Sequence, residues 1–263
     1  MRYFLHVAFD GSKYRGWQRQ SNVITVQEVI EDKLKRIFKK KITVYGCGRT
    51  DTGVHASQYP LHINIDIPFE FNLKFIINKH LPEGIVVYDI IEVEPTQHAR
   101  YDAKWRTYDY FIHLYEDPIL CKYSSYYNLE NLDLDAMSAA VSILPLYQNY
   151  RAFCKRPDLH NHTHCDVKFA QLYFSQDQKR IRFCITANRF LRGMIRITVT
   201  FLLKVGTGEI SVNGFEKILA NQVHIHSKEP ALPNGLYLSK VEYPFLTLPY
   251  KNDITSLLKS DLI

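Results

Sequence analysis

Between Gly46 and Ala56 the chain reads Gly-Cys-Gly-Arg-Thr-Asp-Thr-Gly-Val-His-Ala, three glycines around one arginine and one aspartate. A guanidinium two residues from a carboxylate favours the ionised acid. An ionised aspartate suits covalent attack or charge stabilisation better than proton donation. The same residue types also build ordinary turns, so the chemistry has to be tested against known patterns. A dinucleotide fingerprint fits Gly46 and Gly48 but meets Asp51 at its third position, where a carboxylate repels pyrophosphate. Gly48 and Gly53 have P-loop spacing, yet Val54-His55 follows in place of Lys-Ser/Thr, so an NTPase is excluded. Asp51-Thr52-Gly53 matches half of an aspartic protease site. The chain holds no second such triplet, and Arg49 opposes the shared proton that chemistry needs.

A second cluster invites a metal reading: Cys154, His160, His162, His164 and Cys165. Alternation on a strand would put the three histidines on one face, but Cys165 would then point away, and Asp158-Leu159 reads as loop. The expectation is a solvated or substrate-facing loop with no metal.

The elements that position these residues follow from periodicity. Arg2–Phe9 reads as a strand ending at Asp10-Gly11. Thr25 and Glu28 form a capping box for a helix with Val26, Val29, Ile30, Leu34, Ile37 and Phe38 on one stripe, and Lys33–Lys41 loads its later turns with positive charge. Strands are expected at ITVYGC, HINIDI and GIVVYDIIEVE, with a short helix at NLKFIINKHL. From Lys104 the pattern restarts. WRTYDYFIHL, CDVKFAQLYF, RIRFCITA and GLYLSKVEYP read as strands, while LDLDAMSAAVSIL, the β-branched-rich RFLRGMIRITVTFLLKVG and VNGFEKILANQ read as helices. The order implies an α+β fold of two similar halves, each a mostly antiparallel sheet with helices packed on one face. The expected boundaries are 1–103, 104–245 and a tail at 246–263.

Composition agrees with a globular chain. Of 263 residues 46% are hydrophobic, and no run approaches the roughly 18 apolar residues of a membrane helix. The N-terminus reads as a strand, without the h-region of a signal peptide, and five scattered cysteines suit a reducing cytoplasm. Lys and Arg number 33 against 27 Asp and Glu, and 18 tyrosines are interleaved with them; this balance is compatible with a polyanion and with base stacking.

Gly48-Arg49-Thr50-Asp51-x-Gly53-Val54-His55-Ala56 resembles the active-site motif of the TruA family of tRNA pseudouridine synthases. Four further stretches resemble that family: FDGSKYRGWQRQ (Phe9–Gln20), HARYDAKWRTYDYFI (His98–Ile112), NRFLRGMIRITVTFLLKVGTG (Asn188–Gly208) and the closing GLYLSKVEYP. Departures are Phe9 for a tyrosine, Thr200 for a glycine, and the loose segments QNYRAFCK and RPDLHNHTHCDV. The resemblance implies isomerisation of uridine to pseudouridine in tRNA, in the anticodon stem-loop (positions 38–40), by a homodimer without a cofactor, with an RNA cleft between the two halves of the fold. It implies Asp51 as the essential aspartate, acting on base, sugar or a sugar proton. It implies Arg49 entering the space of a flipped base, Tyr108 stacking on uracil with its hydroxyl near C5, and Arg196 pairing with Asp51. Asp10 and Gln18 would shape the cleft. A degenerate fold that binds RNA without turning it over is the alternative; the intact Arg-Thr-Asp core argues against it.

Overall fold

The computed structural model describes residues 1–66, 72–222, 229–249 and 254–259. The chain divides into two compact units, Met1–Lys104 with Tyr237–Thr255 and Trp105–Leu236 with Ser256–Ile263. The first unit begins with β1 (Arg2–Phe9), α1 (Val26–Phe38) and β2 (Tyr45–Gly46), followed by β3 (His55–Asn64), α2 (Leu73–His80) and β4 (Ile85–Val93). β1 pairs antiparallel with β3 and with β4, and β2 antiparallel with β3. Both β1 and β3 are buried along nearly their whole length; β1 is apolar apart from His6 within its buried stretch, whereas β3 also buries His55, Ser57, Gln58 and His62.

α1 starts where the capping pattern places it. Thr25 Oγ1 accepts the Glu28 N–H at 3.4 Å, and Val26, Ile30 and Leu34 form its buried stripe. The expected strand over ITVYGC shrinks to Tyr45–Gly46. Side chains of α1 explain this. Gln27 Nε2 donates to Val44 O at 3.1 Å, and Val44 N–H donates to Glu31 Oε1 at 3.2 Å. The backbone of Val44 is therefore satisfied without a strand partner.

The second unit holds β5 (Trp105–His113), β6 (Ser125–Tyr126), α3 (Leu134–Ile143), β7 (Val167–Phe174), β8 (Arg180–Ala187), α4 (Met194–Gly206) and α5 (Val212–Asn221). β8 pairs antiparallel with β5 and β7, and β6 lies parallel to β5. α3 packs on β7 and against α4 and α5. α4 forms despite its β-branched residues because burial outweighs propensity. Ten of its thirteen residues are buried, and Thr198 and Thr200 return their hydroxyls to the carbonyls of Met194 and Arg196. Asp109 on β5 is fully buried and carries two cations, Arg182 Nε at 2.7 Å and Lys259 Nζ at 3.0 Å. Lys259 belongs to α6 (Ile254–Lys259), in the expected tail.

The last strand, β9 (Leu236–Glu242), follows the second unit in chain order, yet its residues from Tyr237 onward group with the first. It pairs parallel with β3 through His55↔Tyr237 and Ala56↔Leu238. The strands, mostly antiparallel, join in one nine-stranded sheet, and with their helices they make this an α+β fold, as the element order implied.

Candidate active site

The loop from Cys47 to Val54 is tied at several points within the first unit. Cys47 N–H donates to Pro60 O at 3.0 Å, Trp17 N–H to Thr50 O at 3.2 Å and Gly53 N–H to Tyr14 O at 3.3 Å. Val54 N–H closes a turn onto Asp51 O at 3.2 Å. Gly53, third in that turn, has φ +77°, which glycine adopts without steric cost. Beneath the loop lies an aromatic stack: Trp17 on Tyr59 at 4.1 Å, with Phe9 5.3 Å from Tyr59. The Tyr59 hydroxyl donates to Gly48 O at 2.5 Å.

A second loop, Asp10–Gln18, presses against the first, and its glycines explain how. A Cβ at Gly11 would stand 1.9 Å from Val54 O, and one at Gly16 (φ +87°) 2.5 Å from Thr50 O. Asp10 Oδ1 lies 3.1 Å from His55 Nδ1 and accepts the Ser12 N–H at 2.9 Å. The hydrogen bond from His55, with that from Ser12, holds the Asp10 carboxyl well below the usual carboxylate range. Asp10 thus braces the strand that leaves the loop. Gln18 Nε2 donates to Gln27 Oε1 at 3.0 Å, joining the second loop to α1. Sequence reasoning gave these two residues to the shaping of a cleft and missed their neighbours Gly11 and Gly16. The motif Asp-Gly-x-x-x-x-Gly-Trp carried that signal.

The scaffold leaves a distinct surface. Asp51 is half-buried and Arg49 exposed, while Thr50 points inward with its buried Oγ1 lacking a hydrogen-bond partner among the described residues. A Cβ at Gly48 would meet nothing within 4 Å, so that position is open to an approaching molecule. Arg49 has no ion pair among the described residues, so its guanidinium is presented from the loop.

The other two expected residues lie in the second unit. Tyr108 on β5 pairs with Ile185 on β8 and is 8% exposed, its ring edge-on to Phe190 at 5.0 Å. Arg196 on α4 is half-buried and makes a reciprocal contact with Ala231. Its Nε donates to Ala231 O at 2.6 Å, and Ala231 N–H returns to Arg196 O at 3.1 Å. The histidine cluster does not gather as ligands. Cys154 and Cys165 are buried, while His162 turns outward to Arg189 Nη1 at 3.0 Å. Among the described residues no three His, Cys, Asp or Glu side chains form a metal-binding group. No helix among them is long and apolar enough to cross a membrane.

An α+β chain with an aspartate on a glycine-shaped loop between β2 and β3 has a counterpart among known families. The sequence model of one, described as tRNA pseudouridine synthase, matches residues 5–102 and 147–244, and the chain belongs to that family. The matched stretches contain Arg49, Asp51 and Arg196; Tyr108 lies between them. Among similar proteins are three named tRNA pseudouridine synthase A. That of Bacteroides fragilis is 37% identical over 92% of this chain and 96% of its own length. That of Porphyromonas gingivalis is 35% identical over 92% and 97%. That of Neisseria gonorrhoeae is 33% identical over 92% of both chains. Family membership removes the protease reading of Asp51-Thr52-Gly53.

Proposed function

We propose that this chain isomerises uridine to pseudouridine in tRNA, in the anticodon stem-loop, with Asp51 as the essential group. Family membership supports the reaction class. The observation that carries the assignment to Asp51 is local. One carboxylate stands on a loop fixed by four backbone hydrogen bonds, beside an exposed cation and an open glycine face.

In the reaction the N1–C1′ bond breaks, the uracil turns over, a C5–C1′ bond forms, and the C5 proton is lost while N1 gains one. Oxidation state is conserved, so no redox partner is required. The target nucleotide leaves its stack to react, at an unstacking cost of a few kcal/mol. Arg49 offsets part of that cost by donating to the phosphate of the extruded nucleotide, since a guanidinium matches phosphate oxygens in pairs. Asp51 supplies an ionised carboxylate to the sugar or base. Tyr108 stacks on the uracil and its hydroxyl takes the C5 proton. Arg196 is assigned to substrate binding on the family resemblance, as is assembly into a homodimer, which sedimentation tests directly.

The deciding experiment is pseudouridine formation on an unmodified tRNA transcript by Asp51→Asn and Asp51→Ala, with binding measured in parallel. Both variants are expected to fold, bind tRNA and make no product. The loop rests on backbone contacts, so both variants are expected to keep its shape. A tenth of wild-type turnover in Asp51→Ala would remove Asp51 from the mechanism.

A further inference from the structure

The turn His98–Asp102 in the first unit is fixed by imidazole acceptors. Ala99 N–H donates to His62 Nδ1 at 3.1 Å, and Arg100 and Tyr101 N–H donate to His98 Nδ1 at 3.0 and 3.4 Å. Asp102 Oδ2 accepts the His98 N–H at 2.7 Å, and the Tyr243 hydroxyl donates to Ala99 O at 2.5 Å. An imidazole nitrogen accepts only while unprotonated. Burial, then the charges of His98 and Arg2, pulls His62 down to about 3, and burial with Arg2 lowers His98. Five hydrogen bonds thus hold a turn whose outermost residues, Arg100 and Tyr101, enter them only through their backbone.

Those two side chains are displayed. Tyr101 is 76% exposed, and the Arg100 guanidinium is 5.8 Å from its ring centroid. Tyr101 extends a row of rings. Tyr45, 42% exposed, stacks on His62 at 4.8 Å and 10°, His98 stands edge-on to His62 at 4.5 Å, and Tyr101 lies 4.3 Å from His98. Arg2 flanks the row, its Nη1 on Gln97 O at 2.7 Å. A ring so exposed adds little to the core, yet the turn beneath it is unusually constrained. Exposed aromatic rings beside guanidinium groups suit stacked nucleobases with their phosphates, because every base offers a π-face.

The row sits at the other end of β3 from His55, where the Asp51 loop ends. Tyr45 pairs with His62, seven residues along β3 from His55. At about 3.3 Å per residue that is roughly 23 Å of strand. A nucleotide here is another one than the uridine at Asp51.

We propose that Tyr101 and Arg100 form a preset platform for an unpaired nucleobase of the tRNA away from the target uridine, Tyr101 stacking on the base and Arg100 contacting its phosphate. This rests on the tRNA reading above. The turn is held before binding, so little ordering cost is left for the encounter.

The test compares wild type with Tyr101→Ala, Tyr101→Phe and Arg100→Ala on an unmodified tRNA transcript. The readouts are Kd, KM and kcat, and sedimentation mass without RNA. Tyr101→Ala is expected to weaken tRNA binding at least fivefold, with the loss in KM, and Tyr101→Phe to retain affinity. Arg100→Ala should reduce the slope of log Kd against log salt by about 0.7–0.9. Unchanged affinity in Tyr101→Ala overturns the proposal, as does an equal loss in Tyr101→Phe. A changed mass in Tyr101→Ala with tRNA affinity intact would give the ring to a contact between copies and also overturn it. Wild-type protein that neither binds nor isomerises the transcript would instead fail the tRNA reading itself.

Discussion

Gly11→Ala tests whether the two loops of the first unit are locked together. The added Cβ would stand 1.9 Å from Val54 O and 2.5 Å from Val54 C. Ordinary contact begins near 3.4 Å, so 3.4 − 1.9 leaves 1.5 Å of required movement. Both contacted atoms are backbone, and Val54 is hydrogen-bonded to Asp51 O, so the motion reaches the aspartate. Overpacking of this kind costs about 1–3 kcal/mol. A displacement near 1 Å at a reacting group costs about 100-fold in rate. The expected result is a lowered melting temperature and pseudouridine formation reduced about 100-fold in single turnover, with tRNA binding within a few-fold of wild type. Gly48→Ala is the contrast, because its Cβ meets nothing within 4 Å. It should leave the melting temperature in place. Full turnover by Gly11→Ala would refute the claim that the second loop sets the position of Asp51.

Stability should fall with pH. Below about 6.5 the unfolded chain protonates its histidines, whereas folded His62 resists down to about 3, so the folded state loses ground across that window at no more than about 1.4 kcal/mol per pH unit for one such group. Asp10, lowered by His55, adds a loss in the same direction below about 3.9. Urea midpoints at pH 7, 6, 5 and 4 check this, and a flat profile would contradict it; His62→Asn, which keeps an acceptor near the Nδ1 position, should flatten the upper part. Tyr108→Phe keeps the ring against Phe190 and should preserve folding and affinity while lowering turnover by about 100-fold or more, the usual worth of a proton acceptor. Undiminished turnover would show that the hydroxyl takes no proton.

Element types were legible because periodicity is a local signal. The stripe of α1 and the alternation of β7 and β8 stand where their patterns put them, while α4 keeps its expected end but starts at Met194, five residues late, after Gly193 at φ +73°. Val44 did not follow its strand propensity, because Gln27 and Glu31 bind its backbone from a helix thirteen or more residues away. Proximity in sequence sets the Arg49 guanidinium two residues from the Asp51 carboxylate. In the folded loop the arginine faces solvent, and Thr50 between them faces inward. The reasons for Gly11 and Gly16 lie at Val54 and Thr50, more than thirty residues on, and the turn at Tyr101 depends on His62, 37 residues before Ala99. Such distant pairings leave no periodic trace.

The parallel pairing of β9 with β3 has a consequence for the nascent protein. His55 ends the loop that carries Asp51, and its ring stacks on Tyr237 at 4.7 Å. These partners are 237 − 55 = 182 residues apart in the chain. At about 5–20 residues per second, roughly 9–36 s separate the synthesis of one from that of the other. During that interval β3 has an open edge beside the motif, and the ring that backs His55 does not yet exist. The first unit begins the chain, but its corner beside the Asp51 loop is among the last parts of the molecule to close, so a chain stalled anywhere in the second unit carries every residue of that loop without the strand that completes its support.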